Sequence, residues 1–141
     1  MSTSSLQAAI FLGDAKAETL TNELTDNSMD LRLVQKYSSN DIEAVRAKYN
    51  PEKEQIRNEI AELDKTEQAD EYQDLMTELK ELREEEEAEV EAIEDKLNEY
   101  ETEVQAENET LEVQLEDINA QTEVFKEMLK SNVEEEFSYF N

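Results

Sequence analysis

The 141-residue sequence contains no cysteine, no histidine and no tryptophan, and it has one glycine and one proline. Without cysteine the chain has no disulfide, no thiol nucleophile and no thiolate metal ligand. Because histidine and cysteine provide the commonest acid–base, nucleophilic and transition-metal side chains, their absence argues against an enzyme. A single glycine also excludes a Gly-rich phosphate-binding loop. We therefore expect no catalytic, cofactor-binding or metal-binding residues and no cofactor.

The second feature is a long stretch without helix breakers. Residues 52–141 contain neither glycine nor proline, and they carry 32 acidic against 8 basic residues. Strong helix formers fill this stretch, and its apolar residues recur every three or four positions. The pattern predicts one or two very long helices with anionic exposed faces. The expected fold is all-α: an elongated helical hairpin or coiled coil with a short helical N-terminal region.

The clearest break in the pattern is Asn50-Pro51. The residue before a proline avoids the helical conformation, and proline suits the first position of a helix. We predict short helices and an arm over residues 1–50, with Gly13 as a further break, and a long acidic helix or helical hairpin over residues 51–141. Residues 64–71 lack any large apolar side chain, which favours a hairpin loop there. A continuous helix fits the pattern equally well.

Large apolar residues after Pro51 repeat at spacings of three and four, as in a coiled-coil seam. The four glutamates at 84–87 interrupt this seam. The seam fits packing within a hairpin or packing between chains, and self-association is the favoured interpretation. The predicted assembly seam consists of Ile56, Ile60, Leu63, Leu75, Leu79, Leu82, Val90, Ile93, Leu97, Val104, Leu111, Leu115, Ile118, Phe125 and Leu129.

The formal net charge is −26, of which −2 falls on residues 1–51 and −24 on residues 52–141. A polyanionic rod repels nucleic-acid phosphates and anionic membranes, so we expect neither to bind. No lysine or arginine lies between Leu97 and Phe125. The interhelical ion pairs common in coiled coils therefore cannot form within that segment. The expected partners are other copies of the chain and, because of the charge, a basic protein.

No stretch approaches the roughly 20 apolar residues that a membrane span needs. The start of the sequence also lacks the basic region and long apolar core of a secretory signal. We expect a soluble chain whose cellular location stays open. Export would follow a route that does not read a classical signal.

The C-terminal end is unusually aromatic. Four of the nine aromatic residues lie within the last seventeen positions, where a free helix end is normally polar. We therefore predict a C-terminal anchor made of Phe137, Tyr139 and Phe140. It is expected to be buried against another chain or against the apolar patch near the N-terminus, Leu6 to Leu12.

An N-terminal helix, a turn at Asn50-Pro51 and a long C-terminal helix together resemble the needle and filament subunits of type III secretion systems. The segment Val124-Phe125-Lys126 and the terminal aromatic Phe140 are similar in character to the ends of those subunits. The resemblance implies an exported subunit that stacks helically with its own copies. This chain is longer and far more acidic than a typical needle subunit.

Two functional hypotheses follow. The first is a structural, self-assembling coiled-coil protein, such as a subunit of a helical filament or secretion-type appendage. The second is a polyanionic binding protein: a DNA mimic or inhibitor, an acidic chaperone, or a phage scaffold. The first is favoured because the apolar seam offers a surface for assembly, whereas the acidic faces are by default solvated.

Overall fold

The computed structural model describes residues 1–140 and all of their side chains except that of Phe140. Asn141 is not among the described residues. It contains two helices, α1 (Thr3–Glu62) and α2 (Ala69–Phe140). They pack against each other as a hairpin, the chain is 94% helical, and the described residues form no strand. The predicted all-α hairpin is thereby confirmed. A continuous helix through residues 64–71 is excluded, because the loop lies at residues 63–68.

The first turn of α1 is capped by a serine. The backbone N–H of Ser5 donates to the Ser2 hydroxyl oxygen at 3.1 Å, and the N–H of Leu6 donates to the Ser2 carbonyl at 3.0 Å. A serine at this position satisfies backbone donors that have no partner within the helix. Of the short helices and the arm predicted for residues 1–50, the Ser-rich start of the sequence therefore belongs to a helix.

The loop between the helices is organised by Asp64. Its carboxylate accepts hydrogen bonds from the backbone N–H of Thr66 at 2.9 Å and of Glu67 at 3.4 Å. In return, the Gln68 side-chain oxygen accepts from the N–H of Asp64 at 3.1 Å. These reciprocal bonds resemble the capping box of helix N-termini, and they precede the start of α2 at Ala69.

The predicted helix boundary at Asn50-Pro51 is wrong, because α1 continues through Pro51 to Glu62. A proline inside a helix removes one backbone hydrogen bond and costs about 3 kcal/mol. On either side of it, Tyr49 and Ile56 are only 7% and 6% exposed. Burial of an Ile-sized side chain contributes about 1.5–3 kcal/mol, so packing on both sides offsets the cost of the proline. Gly13 likewise lies inside α1, where a break was predicted.

The chain forms two compact units, each made of one segment from each helix. Unit 1 consists of Met1–Leu31 and Thr102–Asn141, and unit 2 consists of Arg32–Glu101. Unit 2 contains the loop, so its two segments are continuous in sequence. Unit 1 joins the two ends of the chain. This division differs from the predicted one, which separated residues 1–50 from residues 51–141.

Candidate functional site

All fifteen predicted seam residues are buried or half-buried; fourteen lie on the two helices, and Leu63 lies in the loop. Five are buried: Ile56, Leu79, Val90, Val104 and Leu111. The other ten are half-buried. This burial arises within one chain, so it fits the interpretation of the seam as hairpin packing. A role of these residues in contacts between chains stays a prediction.

A matching row runs along α1, through the region where short helices and an arm were predicted. Its members are buried or half-buried at spacings of three and four, and small or polar residues interrupt the apolar pattern at several positions. The row comprises Leu6, Ile10, Gly13, Ala17, Leu20, Leu24, Asn27, Leu31, Val34, Ser38, Ile42, Val45, Tyr49 and Lys53. Such a row is missed when helical periodicity is judged from the spacing of large apolar residues alone.

In unit 2 the seam contains a buried ion pair. The Lys53 ammonium lies 2.6 Å from the Glu86 carboxylate, with side chains that are only 12% and 4% exposed. The Arg46 guanidinium lies 3.5 Å from the other oxygen of Glu86. The hydrogen bond from Lys53 lowers the pKa of Glu86. The expectation that residues 84–87 interrupt the seam is therefore wrong at Glu86, because a cation from α1 allows a carboxylate to occupy a buried position.

Two further ion pairs join the helices of unit 2. Arg46 also reaches Glu87 at 3.4 Å, and Lys48 lies 3.1 Å from Glu89. The hydrogen bond to Glu89 raises the pKa of Lys48, and burial raises the pKa of Tyr49. The Lys48 ammonium also lies 5.1 Å from the centre of the Tyr49 ring, within the range of a cation–π contact. In unit 2, then, ion pairs join the helices in addition to the buried apolar side chains of the seam.

In unit 1 the corresponding contacts between helices use uncharged donors. The Asn27 side-chain amide donates to Asn108 at 2.9 Å. Farther along, Gly13 packs so closely on the buried Thr122 that an added Cβ would overlap the threonine hydroxyl. The absence of a side chain at Gly13 thus permits a close approach of the two helices.

Near the chain ends, unit 1 has two more such bonds. The Thr3 hydroxyl donates to Glu136 at 3.1 Å, and the Asn132 amide donates to the carbonyl of Met1 at 3.0 Å. They tie the start of α1 to the last turns of α2. Both bonds are exposed to solvent, so each contributes little to stability.

Unit 1 also contains an apolar groove between its two helix segments. It consists of two adjoining cavities of about 460 Å³ and 170 Å³ that share Lys16 and Ile118. Its remaining walls are largely aliphatic or uncharged, with Asp117 at one side. They are formed by Ala9, Leu12, Gly13, Ala15, Thr19, Leu20, Gln114, Asp117, Gln121, Thr122 and Phe125. Lys16 is the only cation in this lining.

The predicted C-terminal anchor is exposed in this chain. Phe137 is 72% exposed and Tyr139 is 85% exposed, so neither is buried against the N-terminal patch. The side chain of Phe140 lies outside the described residues. Burial of the anchor against another chain stays a prediction.

Among residues 1–140, no three or more acidic side chains are grouped so that they would hold a metal ion. Over the same residues, neither helix combines the length and the apolar character required to cross a membrane. Comparison of the sequence and the structure with protein-family models, curated proteins and solved structures found no match.

Proposed function

We propose that the protein is a structural subunit that self-associates into a helical assembly, such as a filament or a secretion-type appendage. The main support is the imbalance of apolar side chains. Among the described residues, seven hydrophobic residues are buried, whereas thirteen large ones remain exposed. A two-helix hairpin that leaves thirteen large apolar side chains exposed and nineteen more half-buried favours further association, because burial of apolar surface is the dominant driving force for it.

Part of the exposed apolar surface is organised. Val124 and Met128, which are 54% and 38% exposed, lie one turn apart on α2 in unit 1. Leu33 and Tyr37, which are 51% and 60% exposed, have the same spacing on α1 in unit 2. Residues at this spacing share one face of a helix. Each pair therefore offers a small apolar stripe that a helix of another copy can cover.

The incomplete burial of the seam supports the same proposal. Two helices leave ten of the fifteen predicted seam residues half-buried. Bundles with more than two helices cover such positions more completely. The net charge of −26 opposes association of like chains. At about 0.1–0.15 M salt, this repulsion is largely screened between charges more than about 8–10 Å apart. Assembly should therefore strengthen with ionic strength.

Sedimentation velocity at rising protein and salt concentration tests the proposal. The wild-type chain should form species larger than a dimer, and Val124→Gln combined with Met128→Gln should weaken their formation at unchanged helix content. Glu127→Gln alters a neighbouring exposed position without removing apolar surface, and it should leave assembly intact or improve it. A chain that never exceeds a dimer under any of these conditions would contradict the proposal.

The second candidate is a polyanionic binding protein, and the charge distribution of unit 1 favours it. The α2 segment from Thr102 to Phe125 has no lysine or arginine, and among its carboxylates the described ion pair is that of Glu123 with Lys126, so most of them are available to a basic partner. In unit 2, by contrast, Glu86, Glu87 and Glu89 already pair with cations of the same chain. A capture surface is therefore better sought at residues 103–117 than at residues 84–89. Salt-sensitive binding of a basic protein by a strictly monomeric chain would favour this candidate.

A further inference from the structure

The groove of unit 1 has the features of a site for one amphipathic side chain. Its floor is apolar, formed in part by Leu20 and Ile118, whereas Gln114 and Asp117 provide polar groups at its side. An aromatic ring with a hydroxyl group suits such a lining, because tyrosine combines an apolar body with a polar end that seeks a hydrogen bond. The groove also contains the cation Lys16, which forms no ion pair within residues 1–140.

The last turns of α2 present a surface that complements the groove. Tyr139 is 85% exposed, and Glu135 lies four residues earlier on the same face of the helix. Ser131, Glu135 and Tyr139 line one shallow hollow there. This face therefore combines one aromatic ring with a carboxylate about one turn away, opposite in sign to Lys16.

Tyr139 cannot reach the groove of its own chain. Between Ile118 and Tyr139 the chain is helical, and 21 residues at a rise of about 1.5 Å each separate them by roughly 30 Å. An intact α2 keeps this distance fixed. The ring that fills the groove must therefore come from a second copy of the chain.

We propose that Tyr139 of one copy inserts into the unit 1 groove of the next, with Glu135 pairing with Lys16 of that copy. The inference rests on the proposed self-assembly and specifies its contact. The contact is head-to-tail: each copy places its Tyr139 in the groove of the next copy and receives Tyr139 from the copy before it. Such heterologous contacts produce open filaments where the rotation between copies does not close a ring.

Two complementary variants test the contact. Lys16→Glu disables the groove and keeps the tyrosine, whereas Tyr139→Ser removes the tyrosine and keeps the groove. Each variant alone should associate about tenfold more weakly than the wild type, as expected for loss of an interface anchor. An equimolar mixture should form a discrete heterodimer, because it contains one intact groove and one intact tyrosine. Combining Lys16→Glu with Glu135→Lys should restore assembly.

Val133→Ser is the matched control. Val133 is an exposed apolar residue near the same helix end, on a different face from Tyr139, and its loss should leave assembly unchanged. Circular dichroism of every variant should match that of the wild type. If the wild type assembles and both variants assemble equally well, the contact is wrong and the proposed function stands. If the wild type never exceeds a dimer, the proposed function fails as well.

Discussion

Units 1 and 2 carry the same net charge and both bury apolar seam residues, but the polar contacts between their helices differ in chemistry. Unit 1 has 16 acidic and 3 basic residues, and unit 2 has 23 acidic and 10 basic residues, so each carries −13. In unit 2, Arg46, Lys48 and Lys53 of α1 meet glutamates of α2. The ion pair found in unit 1, between Lys126 and Glu123, lies within a single helix. Net charge alone therefore does not reveal where electrostatic attraction stabilises the fold.

The comparison also shows two ways to place polar groups in a helix seam. Unit 2 buries a charged pair, Lys53 and Glu86, and needs both partners to do so. Unit 1 uses the neutral pair Asn27 and Asn108 together with the close approach at Gly13. Polar residues at seam positions restrict the registers in which two helices can pair, at some cost in stability. The first arrangement depends on pH and on the partner charge, whereas the second does not.

The largest effect should follow from breaking the charged pair of unit 2. Lys53→Met leaves the carboxylate of Glu86 buried without its closest cation. Removal of one partner of a buried ion pair typically costs about 3–5 kcal/mol, and the nearby Arg46 should keep the loss near the lower end. The measurement is the free energy of unfolding from urea denaturation.

Two controls define this effect. Replacing both partners, Lys53→Met with Glu86→Leu, should recover most of the lost stability, because an apolar pair of similar volume needs no charge partner. Lys80→Met removes an exposed cation whose distance to Glu84 is 4.0 Å, and it should have little effect. A loss as large for Lys80→Met as for Lys53→Met would show that overall charge, and not the buried pair, determines stability.

Sequence periodicity was sufficient for the fold class and for the α2 half of the seam. Large apolar residues mark that half. Where they are missing, at residues 64–71, the pattern fits a hairpin loop and a continuous helix equally well, and the observed loop at 63–68 decides between them. The role of Glu86 was not predictable in this way. Its burial depends on Lys53, 33 positions earlier, and only the pairing of the two helices brings them together.

The α1 half was largely missed for a related reason. Several seam positions of α1 hold small or polar residues, namely Gly13, Asn27, Ser38 and Lys53. Large apolar residues alone therefore do not mark a continuous seam on α1. Pro51 strengthened that interpretation, because local conformational preference predicts a helix end there. By its lack of a large apolar side chain or by its conformational preference, each of these residues disfavours a continuous helical seam. It fits the seam only when the opposite helix is present. Tertiary packing thus overrides local preference in α1.

A smaller effect should follow from filling the close approach in unit 1. Gly13→Ala adds a Cβ that overlaps the hydroxyl of the buried Thr122, so the Thr122 side chain must rotate or the helices must move apart. Alanine gains about 1 kcal/mol over glycine in helix propensity, whereas overpacking typically costs about 1–3 kcal/mol. We therefore expect a net destabilisation of about 1 kcal/mol, measured as a lower midpoint of urea unfolding.

The double variant Gly13→Ala with Thr122→Ala separates the two contributions. It removes the overlapping hydroxyl and keeps the gain in helix propensity, so it should be at least as stable as the wild type. Neither variant changes charge, and the difference between them should be independent of salt. Equal destabilisation of both variants would mean that the helices are not in close contact at Gly13.

The smallest effect is a difference between the units in their response to acid. Toward pH 4.5, protonation of exposed carboxylates relieves repulsion in both units and should stabilise both. At lower pH the units should differ because of Glu86. Its pKa is lowered from the ordinary 4.5 by the hydrogen bond from Lys53, so the folded state binds this proton less readily than the unfolded state. The contribution of the pair to the free energy of unfolding is therefore fully present above pH 4.5. It is lost as the pH falls through the lowered pKa of Glu86 in the folded state.

Amide hydrogen exchange, corrected for intrinsic rates, can follow the two units separately below pH 4.5. Protection around Lys53 and Glu86 in unit 2 should decline, whereas protection around Asn27 and Asn108 in unit 1 should not, because that pair does not titrate. Glu86→Gln removes the titrating group and should abolish the acid-dependent part of the decline in unit 2. Parallel changes in both units, unaffected by Glu86→Gln, would mean that general charge repulsion governs the acid response and that the buried pair contributes nothing specific to it.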